Sequence, residues 1–564
     1  MFSGSTRTRI TTIQFNNNWL YGIVVFLFLR LSLRQKKEMT KKGNRAMADR
    51  SVFASLREWF IPRANTRNVA GAVAYDPGAP HKLAQLAMTG TFGDGYYQDA
   101  QTQVQALIEQ AHAVSPDFLA RTAIHARNRG HMKDTPALLL AILSLRDTAL
   151  FVRAFPRVVT SGRMLRTFVR IMRSGQAGRR SLGSRPKAMV RDWLNGASDG
   201  QLLAASVGTD PSLADIIRMV HPRPGNAQRE AFHAWLIGRP VDVSALPPIV
   251  RDLLAFRAGE SERVPAVPFQ LLASLPLSPT QWGMVARMAS WQTLRQGLNM
   301  LTRNGAFDDP EVVAHVAAVL RDHERFRAAR AQPYQLLATL KALDPAVPPA
   351  LREALHDAME RAVSNVPHLA GHVVICPDVS ASMHAPVTGY RGSATSAVQC
   401  IDVAALVAVA IRRGNPAARI LPFAMQVRDV VLEPGDTILA NVCRLAELGG
   451  GGTDCAAPLA WLNARNEVAD LVVFVSDNAS WGNAWPDGRV TAMMREWAKL
   501  KARNPAARLI CIDIQPYGAT QAPERWDMLN IGGFSDAVFD QMAEFTSGRM
   551  EATHWVGQIM AQPL

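Results

Sequence analysis

Residues His372–Met383 read HVVICPDVSASM, a β-branched apolar run that stops at the polar turn Asp378-Val379-Ser380-Ala381-Ser382. A short apolar run bounded by turn residues predicts a buried strand of a parallel sheet, because strands covered on both faces lose the apolar–polar alternation. Ligands of open parallel sheets bind at the carboxyl ends of the strands, where Asp378, Ser380 and Ser382 would then stand. One carboxylate and two hydroxyls at alternate positions are hard oxygen donors, suited to Mg²⁺, Mn²⁺ or Ca²⁺.

Downstream, apolar runs and amphipathic stretches alternate. ARILPFA, the edge-like VRDVVL, DLVVFVS and ARLICIDI are read as strands, with helices over Gln399–Arg412 and Val490–Leu500. This is a three-layer α/β pattern with a mostly parallel sheet. A dinucleotide fold needs glycines after its first strand; acidic and hydroxyl residues stand there instead. Two further strand ends carry matching chemistry. Gly449–Gly452 lead into Thr453-Asp454, and Leu471–Val475 ends in Ser476-Asp477-Asn478. Asp378, Ser380, Ser382, Thr453 and Asp477 are therefore expected on one sheet edge as ligands of a divalent cation, Mg²⁺ first. Two carboxylates plus hydroxyls leave room for water and one outside ligand.

Upstream, Ser51–Val366 is helical almost throughout, with apolar residues at three- and four-residue spacings and Pro, Gly or Asp between the runs. Short helices in series, each unable to bury its own apolar face, predict the stacked pairs of an α-solenoid; a single globular helical domain stays open as the alternative. Arg153–Arg191 contains no Asp or Glu. Arg163, Arg166, Arg170 and Arg173 are spaced to share one helix face, opposite Leu165, Phe168, Val169 and Met172. A charge run is usually a solvated face, but such faces mix Glu with Arg to relieve repulsion, and here nothing relieves it. Arg matches phosphate oxygens bidentately, so a polyanion is the expected partner. The segment 178–187, GRRSLGSRPK, extends that basic surface as a Gly-broken loop carrying Arg179, Arg180, Arg185 and Lys187.

The whole chain fits this division. Its 564 residues carry a formal net charge of +15, with 48% hydrophobic residues. By segment the net charge is +8 over 1–46, +11 over 47–366 and −4 over 367–564. A basic centre points to nucleic acid. The five cysteines all lie beyond residue 375 without a C-x-x-C pair, and read as free, buried thiols in a reducing compartment. Residues 1–46 are set aside as a non-folding leader or over-extended start. Trp19–Leu29 is apolar for 11 residues, short of the roughly 18–20 that span a bilayer, and no signal-peptidase site follows. Gly196-Ala197-Ser198-Asp199-Gly200 spells a nucleophile elbow, but a helix precedes it where the motif needs a strand. His131, His221 and His233 lack ligand spacing and are read as surface or RNA-facing. Gly90, Gly93 and Gly95 are read as a turn.

The arrangement Asp-x-Ser-x-Ser, then Thr, then Asp, resembles the metal-ion-dependent adhesion site of von Willebrand factor A domains. Ala381 and Asn478 depart from the commoner glycines there without removing a ligand. The chain as a whole resembles the Ro autoantigen family, the TROVE-domain proteins, in a bacterial form. The resemblance covers roughly residues 60–560. It rests on DVSASM (378–383), GGTDCAAPLAW (451–461), SDNASW (476–481) and MLNIGGF (528–534). In the helical part it rests on NRGHMKDTPALLLAIL (128–143), LGSRPKAMVRDWLN (182–195), DIIRMVHPRP (215–224) and MASWQTLRQGLNMLTR (288–303).

The resemblance implies a ring of HEAT-like helical repeats over 47–366, closed by a Rossmann-like von Willebrand factor A domain over 367–564. It implies a cytoplasmic, non-enzymatic ribonucleoprotein scaffold in RNA quality control and stress survival. Small structured noncoding Y-like RNA would bind the basic outer surface, and single-stranded ends of misfolded RNA would enter the central hole. An exoribonuclease or RNA-repair enzyme is the implied protein partner, and an acidic protein ligand that of the metal site; no membrane is involved. Lys133 falls in the family's K-x-x-P segment, Lys187 in its basic block, and Arg163–Arg173 in its RNA-facing region. Two other readings are kept: a metal-dependent adhesion module on a purely structural helical platform, and a metal-dependent nuclease. The hydroxyl-rich ligand set, with no placed base, argues against the nuclease.

Overall fold

A strand buried on both faces needs helices from both sides, and the A-domain sheet obtains some of them from the far end of the chain. The computed structural model describes residues 62–564, apart from 91, 93, 95–97, 330, 332, 364–365, 390–397, 434, 478, 481–489, 516, 534–536 and 549–553. These residues belong to one compact unit, Ile61–Leu564. The leader read at 1–46, with its apolar run, lies outside them. Among the described residues, 24 α-helices surround one five-stranded parallel sheet and a two-stranded hairpin. None of these helices is long and apolar enough to cross a membrane.

The hairpin is β1 (Thr66–Arg67) with β2 (Val73–Ala74). The helical series follows: α1 (Ala79–Thr89), α2 (Ala100–Ala113), α3 (Pro116–Asn128), α4 (Asp134–Arg146), α5 (Thr148–Val158), α6 (Gly162–Ser174), α7 (Ser184–Gly196), α8 (Asp199–Ala205), α9 (Leu213–Val220), α10 (Ala227–Leu236) and α11 (Pro248–Arg257). It continues through α12 (Phe269–Leu272), α13 (Pro279–Met288), α14 (Trp291–Arg303), α15 (Pro310–Arg321), α16 (His323–Ala329), α17 (Pro333–Lys341) and α18 (Pro349–Val363). Side-chain caps set many of the boundaries: Ser115, Ser161, Ser198, Ser212, Ser278 and Ser290 each accept from a first-turn amide. The elbow-like Ser198 is one of these caps, completing a capping box with Gln201. Helices of this length are marginal alone and are held by stacking.

Two cores run through the series. Helices α1–α11 share the first. The second starts at Phe256 and runs through α13–α18 into one face of the sheet without a break at residue 366. The sheet order is β4 (Arg419–Ile420), β3 (Val373–Pro377), β5 (Leu471–Ser476), β6 (Arg508–Asp513), β7 (Met528–Gly532), all parallel. On the face continuous with the helical core lie α19 (Cys400–Gly414), α20 (Ile438–Glu447) and α23 (Ala537–Thr546); α21 (Ala457–Ala464) and α22 (Ala492–Arg503) cover the other. VRDVVL forms no strand: Val427 makes a single bridge to Phe423 and the following residues run free of the sheet. The edge position belongs to the two residues of β4.

Both ends of the helical series meet the A domain. At one end α17 and α18 pack on α19. At the other, Tyr75 exchanges 2.9 Å backbone bonds with Thr520, and α1 lies on β7. Gly532 makes that approach possible, since a Cβ there would sit 3.1 Å from the Gln85 backbone and 3.1 Å from Trp555. Trp555 and Ile559 of α24 (His554–Met560) are buried in the first helical core, so the chain's last helix leaves the A domain and joins the helical series.

At this seam His81 Nδ1 stands 3.7 Å from Glu524 Oε1, and Trp555 meets the His81 ring edge-on. Asn530 donates to Glu524 at 2.7 Å. Burial pushes Glu524 up to about 7 and His81 down to about 4. A carboxyl that holds its proton more tightly when folded stabilises the fold below its unfolded range, and that contribution is lost as pH rises toward about 7. Glu524→Gln is therefore expected to be more stable than the parent at pH 8, by on the order of 2 kcal/mol, with the advantage vanishing near pH 4. Urea unfolding at the two pH values checks this, and a pH-independent difference would contradict it.

Candidate metal centre and cationic helix face

The strand order places β3 between β4 and β5, so the chain's crossovers diverge on either side of β3. This is a topological switch point, where loops splay apart and leave room for a ligand. Asp378 follows β3 and Asp477 follows β5. Asp378 is 0% and Asp477 2% exposed; Ser380, Ser382 and Thr453 are also buried. The turn is held by Ser380 N donating to Asp378 Oδ1 at 2.9 Å, with Ser380 Oγ 3.3 Å from Ser382 Oγ. The glycine loop before Thr453 is laced to it by two 2.9 Å backbone bonds, Ala381 N to Gly451 O and Gly450 N to Val379 O. Gly450 and Gly451 take positive φ, 129° and 87°, which side chains there would strain. All five residues read from the sequence thus come to one sheet edge. Asn478 lies outside the described residues.

Ser476 was not read as part of this set. Its hydroxyl donates to Asp378 Oδ2 at 2.5 Å, orienting the carboxylate. Being adjacent to Asp477 was its only sequence signal. Asn68 of the N-terminal hairpin also reaches this edge, donating to Ser480 O at 2.9 Å across 412 positions of sequence. Burial, then the charge of Asp477, pushes Asp378 up to about 7; burial also raises Asp477. Among the described residues, no Lys, Arg or His pairs with either carboxylate. Nor do three His, Cys, Asp or Glu side chains converge as a metal cluster. Two buried carboxylates surrounded by hydroxyls and no cationic side chain form a donor set that fits a hard divalent cation. The cysteines are free, four buried and Cys443 exposed.

The second candidate is α6. Leu165, Phe168, Val169 and Met172 are all 0% exposed, and Phe168 packs against Phe151 and Phe155 at 6.0 and 5.3 Å. Locking that side directs Arg163, Arg170 and Arg173 to solvent, with Arg166 half-buried over Gly208. Lys133, exposed at the start of α4, joins them: its pKa is lowered by desolvation and then by the charges of Arg163 and Arg127. Gly175, in left-handed conformation, ends α6 and starts the basic loop. Arg179 packs on Gly183, Arg180 and Arg185 are exposed, and Lys187 is half-buried in the first turn of α7. That helix begins without a side-chain cap or an acidic first-turn residue.

Three sequence readings need correction. The arginine face is not wholly unrelieved, since Asp210 approaches Arg170 to 3.8 Å from 40 positions downstream. Arg153 and Arg157 turn away to bond the main-chain oxygens of Leu564 and Pro563, so they leave the cationic surface. His233 is buried rather than surface-facing, and burial followed by the charge of Arg229 lowers its pKa to about 4.

Asp210 is 81% exposed in its pair with Arg170, so Asp210→Asn is expected to change stability by less than about 0.5 kcal/mol. Removing its charge should nonetheless raise the salt concentration that elutes the protein from heparin. Unchanged elution would mean that this face does not meet the polyanion.

Residues 372–546 match the Ro60 vWA domain family. A curated relative, the "RNA-binding protein RO60" of Deinococcus radiodurans, is 26% identical over 536 residues, covering 87% of this chain and 97% of the relative. The protein of that name from Caenorhabditis elegans is 23% identical over 267 residues, covering 45% of this chain and 40% of the relative. The crystal structure of the Deinococcus radiodurans RO (RSR) protein superposes with a TM-score of 0.57 at 22% identity, covering 84% of this chain and all of that one. These relatives are named for RNA binding and not for a catalytic activity, and the A domain is a binding module. Helical series and parallel sheet together carry the fold of that RO protein, and the chain is similar to the RO60 proteins over most of its length.

Proposed function

We propose that this protein is a non-catalytic RNA-binding scaffold of a Ro ribonucleoprotein. The observation that carries the reading is α6: four arginines and Lys133 on one surface, fixed by a fully buried opposite side. Binding would proceed by phosphate neutralisation and shape rather than by reading base edges. The loop residues Arg179, Arg180, Arg185 and Lys187 extend the track beyond the end of α6. The RO60 names of the relatives support RNA as the polyanion. The RNA we assign is a small structured noncoding, Y-like species on this surface, with single-stranded ends of misfolded RNA held by the helical circuit. RNA quality control in the cytoplasm, alongside an exoribonuclease or RNA-repair enzyme, is the corresponding process.

Replacing Arg163, Arg166, Arg170 and Arg173 together by Glu should weaken RNA binding at least tenfold. The dependence of log K on log salt should flatten by roughly 3, at about 0.7–0.9 per phosphate contact. Filter binding across a salt series measures both, and unchanged affinity would refute the assignment.

For the A domain we propose divalent-cation binding, Mg²⁺ first, by Asp378, Ser380, Ser382, Thr453 and Asp477. When bound, the cation supplies a point of positive charge that accepts an oxygen from an acidic protein ligand. The protein residues orient the site: Ser476 fixes the Asp378 carboxylate, and the laced glycine loop sets Thr453. Asp378→Ala should abolish Mg²⁺ binding in calorimetry while leaving RNA affinity within about twofold, since the cationic face owes nothing to the A-domain edge. Retained Mg²⁺ affinity would remove the metal assignment.

A further inference from the structure

Beside the two metal-site loops stands a third, residues 421–430, which neither the metal nor the RNA reading uses. It is bonded into both neighbours. Val379 N donates to Phe423 O at 2.8 Å, and Asp454 N donates to Ala424 O at 2.9 Å. Within the loop, Ala424 N donates to Gln426 O at 3.0 Å and Arg428 N to Pro422 O at 2.7 Å, closing a tight turn. The turn carries two side chains onto the glycine loop. Met425 lies with its sulfur 3.1 Å from where a Gly452 Cβ would be, and Arg428 Nη2 is 4.0 Å from the corresponding point on Gly451.

Both side chains are exposed, Met425 at 52%. Arg428 enters no ion pair or side-chain hydrogen bond among the described residues, although Asp429 follows it in sequence. Gly451 is the residue whose carbonyl receives Ala381 N, inside the Asp-x-Ser-x-Ser turn. An apolar thioether and an unpaired guanidinium therefore stand one residue-width from the proposed cation site, on a backbone held by hydrogen bonds on both sides. An exposed apolar side chain beside a cation suits a ligand that presents apolar and acidic groups together. Methionine adapts its shape to such contacts at low cost. Arg recognises a carboxylate through paired N–H donors.

We infer that Met425 and Arg428 are specificity residues of the A domain, selecting a protein segment with two acidic residues flanking an apolar one. One carboxylate completes the cation, the apolar side chain packs on Met425, and the second carboxylate pairs with Arg428. The inference rests on the proposed cation docking and adds the partner's sequence character to it. A nucleic-acid phosphate would satisfy the cation and Arg428 but leaves Met425 unexplained, so a protein segment is the occupant the loop favours.

The test uses the full chain with Mg²⁺, immobilised and panned against a displayed library of random dodecapeptides, with elution by EDTA. Enrichment of peptides with an acidic–apolar–acidic pattern is expected. The best synthetic peptide should bind Arg428→Glu at least tenfold more weakly, and Met425→Ala severalfold more weakly. Replacing the peptide's second acidic residue by Lys should restore binding to Arg428→Glu, an outcome that misfolding cannot imitate. EDTA-sensitive peptides that lack a second acidic residue, or that ignore Arg428→Glu, would overturn this inference and leave cation docking standing. If the parent selects no EDTA-sensitive peptide, both fall. If instead a single-stranded oligoribonucleotide of random sequence binds in an Mg²⁺- and Arg428-dependent way and no peptide does, the occupant is nucleic acid and the inference is wrong.

Discussion

A parallel sheet cannot leave either face to water, because the crossovers that make its strands parallel also make both faces apolar. In this protein the requirement reaches beyond the A domain. One face continues into the core of α13–α18, and β7 is closed by α1, with Trp555 of the last helix beside it. The approach depends on Gly532 having no side chain. The helical series therefore begins and finishes on the same sheet, and a contact that covers β7 also sets where α1 starts. The seam is polar as well as apolar, with His81, Glu524 and Asn530 meeting behind it.

The same sheet determines where chemistry can occur. Putting β3 between β4 and β5 opens a gap at the strand ends, and the two buried carboxylates stand there because their strands are adjacent. Their burial comes from the loops laced across them rather than from their own sequence. Without cationic partners such a pair is costly, so the fold holds a donor set whose natural complement is an ion. The exposed residues just outside, Met425 and Arg428, lie on a loop fixed by the same backbone bonds. Affinity for a cation and selection of what approaches it thus reside on different loops of one edge.

Much of this was legible before the structure. The apolar runs around 373–377, 471–476 and 508–513, short and bounded by turn residues, mark buried strands, and four of the five proposed ligands follow the ends of β3 and β5. Thr453, read as following a third strand end, instead follows the glycine loop after helix α20. The helical part was legible as a series because its apolar spacings repeat at 3.6. What escaped shares one property: it depends on partners far away in sequence. MLNIG forms β7, yet a five-residue run flanked by glycine and aspartate has no periodicity to announce a strand. VRDVVL is rich in β-branched residues like a strand, but the edge hydrogen bonds it would need go to β4. Arg153 and Arg157 look like the arginines that follow them; only the return of the C-terminal segment separates them.

That separation bears on how a charge run should be weighed. Within Arg153–Arg191, two guanidiniums serve the protein's own main-chain oxygens, one leans on Asp210, and the others stand on α6, on α7 or on the loop between them. Repulsion among the exposed ones is tolerable because they sit at high dielectric, and it becomes an advantage once a polyanion releases its counterions there. A surface built that way gains little for the folded chain alone. Burying Phe168, Val169 and Met172 sets its orientation, and the charge left outside is what remains for a partner to neutralise.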